Sequence, residues 1–171
     1  SPDYVQSLAR GLSVVRAFDR EHARLTLSEV AARTGLTRAV ARRSLLTLRH
    51  LGYVAQDARD FYLRPRVLSF SHAYLSASPI AVLAQPILDR LGEALREACS
   101  LATLDGDEIV YIARSTSSRI MSPSLNVGRR LPAYCTSIGH VMLAHLPQDE
   151  LDAYLARVRF HPYTEYTPAS T

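Results

Sequence analysis

The chain contains no lysine: all 20 of its basic residues are arginine. Guanidinium groups suit forked recognition of phosphate or of a guanine edge, but codon bias produces the same composition, so little rests on it. Cysteine is nearly absent too. Cys99 and Cys135 are too few for a disulfide framework and lack the paired spacing of a zinc site. No apolar run approaches the ~20 residues that a helical membrane span needs, and no charged-then-apolar secretory signal opens the sequence. The seven glycines never cluster, which excludes a glycine-rich phosphate loop, and the six histidines show no metal-ligand spacing. These absences lead us to expect a soluble protein of the reducing cytoplasm with no metal and no cofactor.

What is present is a globular composition of 171 residues, 47% hydrophobic and 21% charged, enough for one large domain or two small ones. Charge is unevenly spread: residues 1–66 carry 12 arginines against 6 acids, and residues 67–171 carry 8 against 10. That asymmetry suggests a nucleic-acid module joined to something else.

The basic third centres on Leu36 to Leu51. Thr37 can cap a helix start and Gly52 can stop it. Ala41, Ser44, Leu45 and Leu48 form one stripe at helical spacing, suited to packing, while Ala39, Arg42, Arg43 and Leu46 turn away from it. Arg38 sits in the first turn, where a cation opposes the helix dipole unless an anion lies close by. Upstream, Val5, Leu8, Leu12, Val15 and Phe18 predict a first helix ending near Asp19 to His22. Thr26 and Glu29 have the spacing of a capping box for a short second helix closed by Gly35. Helix, tight glycine turn and helix make a helix-turn-helix. Tyr53 to Gln56 and Asp60 to Leu63 predict a hairpin around Asp57 to Arg59, completing a winged helix-turn-helix. In that arrangement the third helix enters the major groove, presenting Thr37, Arg38, Ala39, Arg42 and Arg43, and Arg59 at the wing tip can reach the backbone or minor groove. A solvated basic face and a solvated turn residue explain the same arginines equally well.

Beyond Pro65, Val67 to Leu75 predicts a linker helix, and Ser78-Pro79 the start of a longer helix to about Glu97, kinked or broken at Pro86. Ala98 to Leu104 and Glu108 to Ala113 read as strands around an Asp105-Gly106-Asp107 turn, and Ile120 to Val127 as a third strand closing at Gly128. A helix follows to about His145, and Pro147 opens another to about Val158. The fold class expected is α+β, with a winged helix-turn-helix over residues 1–66, a linker helix over 67–78 and an α/β domain over 79–171. Three strands make a thin sheet, so further residues beyond 171 are expected to complete it.

The winged helix, the linker and the run Arg130 to Gly139 together resemble the IclR family of bacterial transcriptional regulators. Ser7 to Leu12, Thr103 to Arg114 and Leu131 to Thr136 are similar to its subgroup controlling protocatechuate and β-ketoadipate catabolism. The resemblance implies a homodimer or dimer of dimers, joined largely through the N-terminal domains and bound to inverted repeats in double-stranded DNA. It also implies a GAF-like C-terminal domain that takes a small carboxylate effector, part of whose site falls at Thr136, Ser137 and Ile138. Free N–H groups at a helix start fit an anion there, and Leu131 and Met121 fit an apolar wall, with Arg119, Arg129 and Arg130 as optional charge partners. Thr136 as a plain N-cap and Leu131 as plain core fit equally well. Where the family commonly has a basic residue after the glycine of this motif, this chain has His140.

Two other classes compete with a regulator. One is a small-molecule sensor or protein-interaction module without sequence-specific DNA binding. The other is an enzyme built on Cys135 and His140, which is weaker because residues five apart do not share a helix face and no orienting acid is evident. Asp105, Asp107 and Glu108 are read as a solvated turn, and no enzymatic activity is expected.

Overall fold

Helix α1 (Gln6–Arg16) turns Val14 into the protein, and Ala17 and Phe18 follow it inward. Of the apolar residues that predict this helix, Phe18 is buried and Val15 partly so, whereas Val5, Leu8 and Leu12 are all at least half exposed. The helix also ends short of Asp19, for a local reason. The Asp19 carboxylate accepts the backbone N–H groups of Glu21 and His22 at 2.9 and 2.8 Å, a side-chain turn that competes with further helix. Arg33 fastens that turn, donating to the Ala17 carbonyl and to Asp19.

This is a computed structural model that describes residues 3–115 and 126–167. The chain divides into two compact units, Ser1–His72 and Ala73–Thr171, so the boundary falls inside the linker helix.

In the first unit, strand β1 (Leu25–Thr26) leads into α2 (Leu27–Thr34), with Thr26 and Glu29 forming the expected capping box and Gly35 closing the helix at φ +66°. Helix α3 (Arg38–His50) is capped by Thr37, whose hydroxyl accepts the Val40 N–H at 3.4 Å. It stops in a Schellman arrangement: Tyr53 N–H donates to Leu48 O and Gly52 N–H to Arg49 O, with Gly52 at φ +81°. The wing, β2 (Val54–Asp57) and β3 (Asp60–Leu63), is the predicted hairpin, but β1 adds a third strand against β3. Two residues are too few to show strand alternation, so sequence did not reveal β1. Val14, Val30, Ala41, Leu45, Val54 and Phe61 meet in one core.

The linker helix α4 (Leu68–Ser76) precedes α5 (Pro79–Leu95), which runs unbroken through Pro86. Pro86 is exposed, so its missing N–H breaks no buried bond. Strands β4 (Ser100–Asp105), β5 (Glu108–Arg114) and β6 (Arg130–Pro132) form an antiparallel sheet in that order, with Gly106 at φ +65° in the first turn. The strand expected over Ile120 to Val127 lies mostly outside the described residues. Where description resumes, Val127 and Gly128 form a turn, and among the described residues the third strand of this sheet is Arg130–Pro132. A 3-10 turn (Ala133–Cys135) then leads to α6 (Ser137–Ala144), followed by α7 (Gln148–Arg157). Ile109, Tyr111, Ala133, Tyr134, Leu143 and Tyr154 form the second core. Among the described residues no single helix is long and apolar enough to cross a membrane.

Candidate nucleic-acid interface and effector site

Burying Ala41 and Leu45 fixes which way α3 faces. Arg38, Ala39, Arg42 and Arg43 are consequently exposed, and the three arginines make no ion pair or hydrogen bond among the described residues. The rest of the unit's arginine content is not equivalent. Arg24 pairs with Asp57 at 2.7 Å and lies over the Tyr62 ring, Arg33 holds the end of α1, and Arg66 donates to the Leu51 carbonyl at 2.6 Å. Internal partners thus hold Arg24, Arg33 and Arg66, whereas Arg38, Arg42 and Arg43 have none among the described residues. Arg43 differs from its neighbours, because it also borders an apolar groove of about 740 Å³ between α1 and α3. Leu8 and Leu12 line that groove opposite Leu48 and Leu51, and Tyr53 stacks on Phe70 at its end.

The wing tip presents Arg59, exposed and unpaired among the described residues. It follows Ala58, whose φ of +50° is unusual for a residue with a side chain. Sequence reading missed the contact that holds this turn. Arg49, two helical turns beyond Arg42 on the same face, donates to Gln56 Oε1 at 2.7 Å, and Gln56 Nε2 donates to the Ala58 carbonyl at 3.0 Å. No local spacing signals it, since Arg49 and Gln56 lie on different elements.

In the second unit, Thr136 caps α6: its hydroxyl accepts the Gly139 N–H at 3.1 Å. Its oxygen is therefore already engaged, whereas Ser137 is exposed and the N–H groups of Ser137 and Ile138 have no acceptor among the described residues. Leu131 and Ile138 pack against the second core. Of the five expected effector residues, Thr136, Ser137 and Ile138 stand together at the helix start, Leu131 sits opposite Ile109 on the sheet, and Met121 lies outside the described residues, as does Arg119.

The optional cation Arg130 is committed elsewhere, bridging Glu108 and Asp105 at 2.6 Å each. These bonds, the Glu108 one foremost, hold its proton more firmly than usual. Asp107 pairs with Arg157 at 2.7 Å, so the turn acids read as merely solvated are an ion-pair cluster. Cys135 and His140 are not paired: the thiol points to Pro132 O and the imidazole lies 2.6 Å from Tyr134 O. Burial pushes the Cys135 thiol up, the reverse of an activated nucleophile. Among the described residues no group of three or more His, Cys, Asp or Glu is placed to hold a metal.

A three-helix unit with a β-wing, an outward cationic third helix and a separate α/β unit defines the class of winged-helix regulators with a sensor domain. The chain belongs to the IclR family: residues 7–58 match the IclR helix-turn-helix domain and residues 72–171 match the bacterial transcriptional regulator IclR C-terminal domain. It is 48% identical over 167 residues to the Pca regulon regulatory protein of Pseudomonas putida, covering 97% of this chain and 57% of that protein. It is 37% identical to the p-hydroxybenzoate hydroxylase transcriptional activator of Acinetobacter baylyi, covering 96% of this chain and 63% of that one. Among solved structures, a transcriptional regulator from Rhodococcus sp. RHA1 matches at 53% identity and a TM-score of 0.78, covering 98% of this chain and 66% of its own. An IclR homolog from Microbacterium hydrocarbonoxydans, complexed with 4-hydroxybenzoate, matches at 25% identity and a TM-score of 0.71, over 91% of this chain and 66% of its own. The chain thus spans about 57–66% of the length of these proteins.

Proposed function

We propose that this chain carries the DNA-binding and effector-sensing parts of a cytoplasmic transcriptional regulator of aromatic-acid catabolic genes, of the protocatechuate and β-ketoadipate type. The observation that carries the DNA-binding half is the first two turns of α3. Among the described residues Arg38, Arg42 and Arg43 stand outward without internal partners, on a helix fixed at both ends by Thr37 and Gly52. Cations left unsatisfied on a rigid helix favour a polyanion, and a helix of this width fits the major groove. Thr37, Arg38, Ala39, Arg42 and Arg43 are the assigned groove contacts and Arg59 the wing contact. The exposed Leu8 and Leu12 face on α1 supports a homodimer or dimer of dimers, assembled through the N-terminal units on inverted-repeat operators.

The effector half is supported by the free N–H groups of Ser137 and Ile138 at the start of α6, which suit the carboxylate of a small aromatic or dicarboxylic acid. The regulators of Pseudomonas and Acinetobacter named above, and the 4-hydroxybenzoate bound by the Microbacterium protein, point to the same ligand class. The relatives being transcriptional regulators, we assign no enzymatic activity. Selection of bound genomic fragments by the full-length protein, with and without protocatechuate and β-ketoadipate, tests both halves. The expected result is enrichment of inverted repeats beside aromatic-catabolism genes, altered by acid; enrichment of no sequence would overturn the proposal.

A further inference from the structure

Resting on the assignment of Arg59 as a DNA contact, we infer that Gln56 is a positioning residue that fixes the wing tip in register with α3. The chemistry of its two partners sets its orientation. A guanidinium only donates and a backbone carbonyl only accepts, so the amide oxygen must face Arg49 and the amide nitrogen must face Ala58. The Ala58 carbonyl belongs to the peptide plane that ends in the Arg59 nitrogen. Holding that oxygen therefore holds the direction in which Arg59 leaves the turn.

The turn needs such a restraint. Its first central residue, Ala58, sits at φ +50°, a region that two-residue hairpins usually give to glycine or asparagine. On the other flank, Arg24 binds Asp57, the last residue before the turn, and packs on Tyr62. The wing is thus tied on one side to the chain just before β1 and on the other to α3, leaving Arg59 as its free cation among the described residues. Because Arg49 shares a helical face with Arg42, one face of α3 both meets the groove and, through Gln56, sets where the wing cation points. Helix and wing contacts are consequently coupled through one exposed amide.

The test is a double-mutant cycle on duplex binding by the full-length protein, read at several salt concentrations. Gln56→Met keeps side-chain bulk and removes both hydrogen bonds; Gln56→Ala removes both bulk and bonds; each is combined with Arg59→Ala, and melting curves check folding. The expected result is that Gln56→Met weakens binding several-fold, lowers the salt slope by about one as Arg59→Ala does, and adds nothing to Arg59→Ala. Wild-type affinity and slope for Gln56→Met, or losses that add in full, would overturn the inference while leaving Arg59 as a contact. Wild-type binding by Arg59→Ala has a different signature and would remove the wing assignment and the inference together.

Discussion

Gly139 illustrates how much a single position can require. A Cβ built there would lie 2.1 Å from the Ala133 carbonyl oxygen and 2.5 Å from its Cα, both backbone atoms that cannot swing aside. The close approach lets α6 start directly over the preceding 3-10 turn, while His140 ties the same two elements through the Tyr134 carbonyl. Gly139→Ala is expected to destabilise the second unit by about 3 kcal/mol or more, at the upper end of overpacking effects. Calorimetry would show the transition of that unit lowered or lost while the first unit melts as before; an unchanged profile would contradict the packing described. Sequence showed that a glycine followed Thr136, Ser137 and Ile138, but not the backbone contact that demands it, because Ala133 reaches it only through a turn.

At the scale of elements, the short-range signals translated well and the long-range ones did not. Thr26, Glu29, Gly35, Thr37, Gly52 and Gly106 act within three or four residues of themselves, and the ends they predict for α2, α3 and the β4–β5 turn are those found. Only part of the apolar stripe that predicts α1 is buried: Phe18 joins the core, but Leu8 and Leu12 are as apolar as core residues yet remain exposed, a distinction that periodicity cannot make. Among candidate site residues, the outward arginines followed from helical spacing. Which arginines had internal partners depended on distant acids and carbonyls and was not legible.

The capping box of α2 also predicts a pH dependence. The Thr26 backbone N–H, and then its hydroxyl, hold the Glu29 carboxylate below the usual glutamate range. A carboxylate lowered in the folded state stabilises the fold above its unfolded value of about 4.3 and loses that effect as pH falls through the folded value. The stability difference between the wild type and Glu29→Gln should therefore be present near neutrality and shrink as pH falls below that unfolded value and through the folded one, as read from urea melts across that range. A difference independent of pH would show that the charge of Glu29 plays no part in the cap.

For the whole molecule, the groove beside α1 is where the proposed dimer would form. Leu8 and Leu12 stand exposed along one side, with Leu51 exposed across from them. If a second copy docks there, it would bury these side chains at about 1.5–3 kcal/mol each, so the wild type should sediment as the proposed dimer and Leu8→Glu with Leu12→Glu as a monomer, with no loss of melting temperature in the unit. A double variant that still sediments as a dimer would place the interface elsewhere. Monomeric variants should also bind single half-sites weakly, since two recognition helices on one duplex multiply each other's affinity.

The most direct measurement is a salt titration of duplex binding by the wild type and by Arg42→Ala. With α3 in the groove, the substitution should cost about 1–3 kcal/mol if the guanidinium reads a base, or lower the slope of log affinity against log salt by about one if it meets a phosphate. Superimposable curves at every salt concentration would show that the outward face of α3 does not touch DNA.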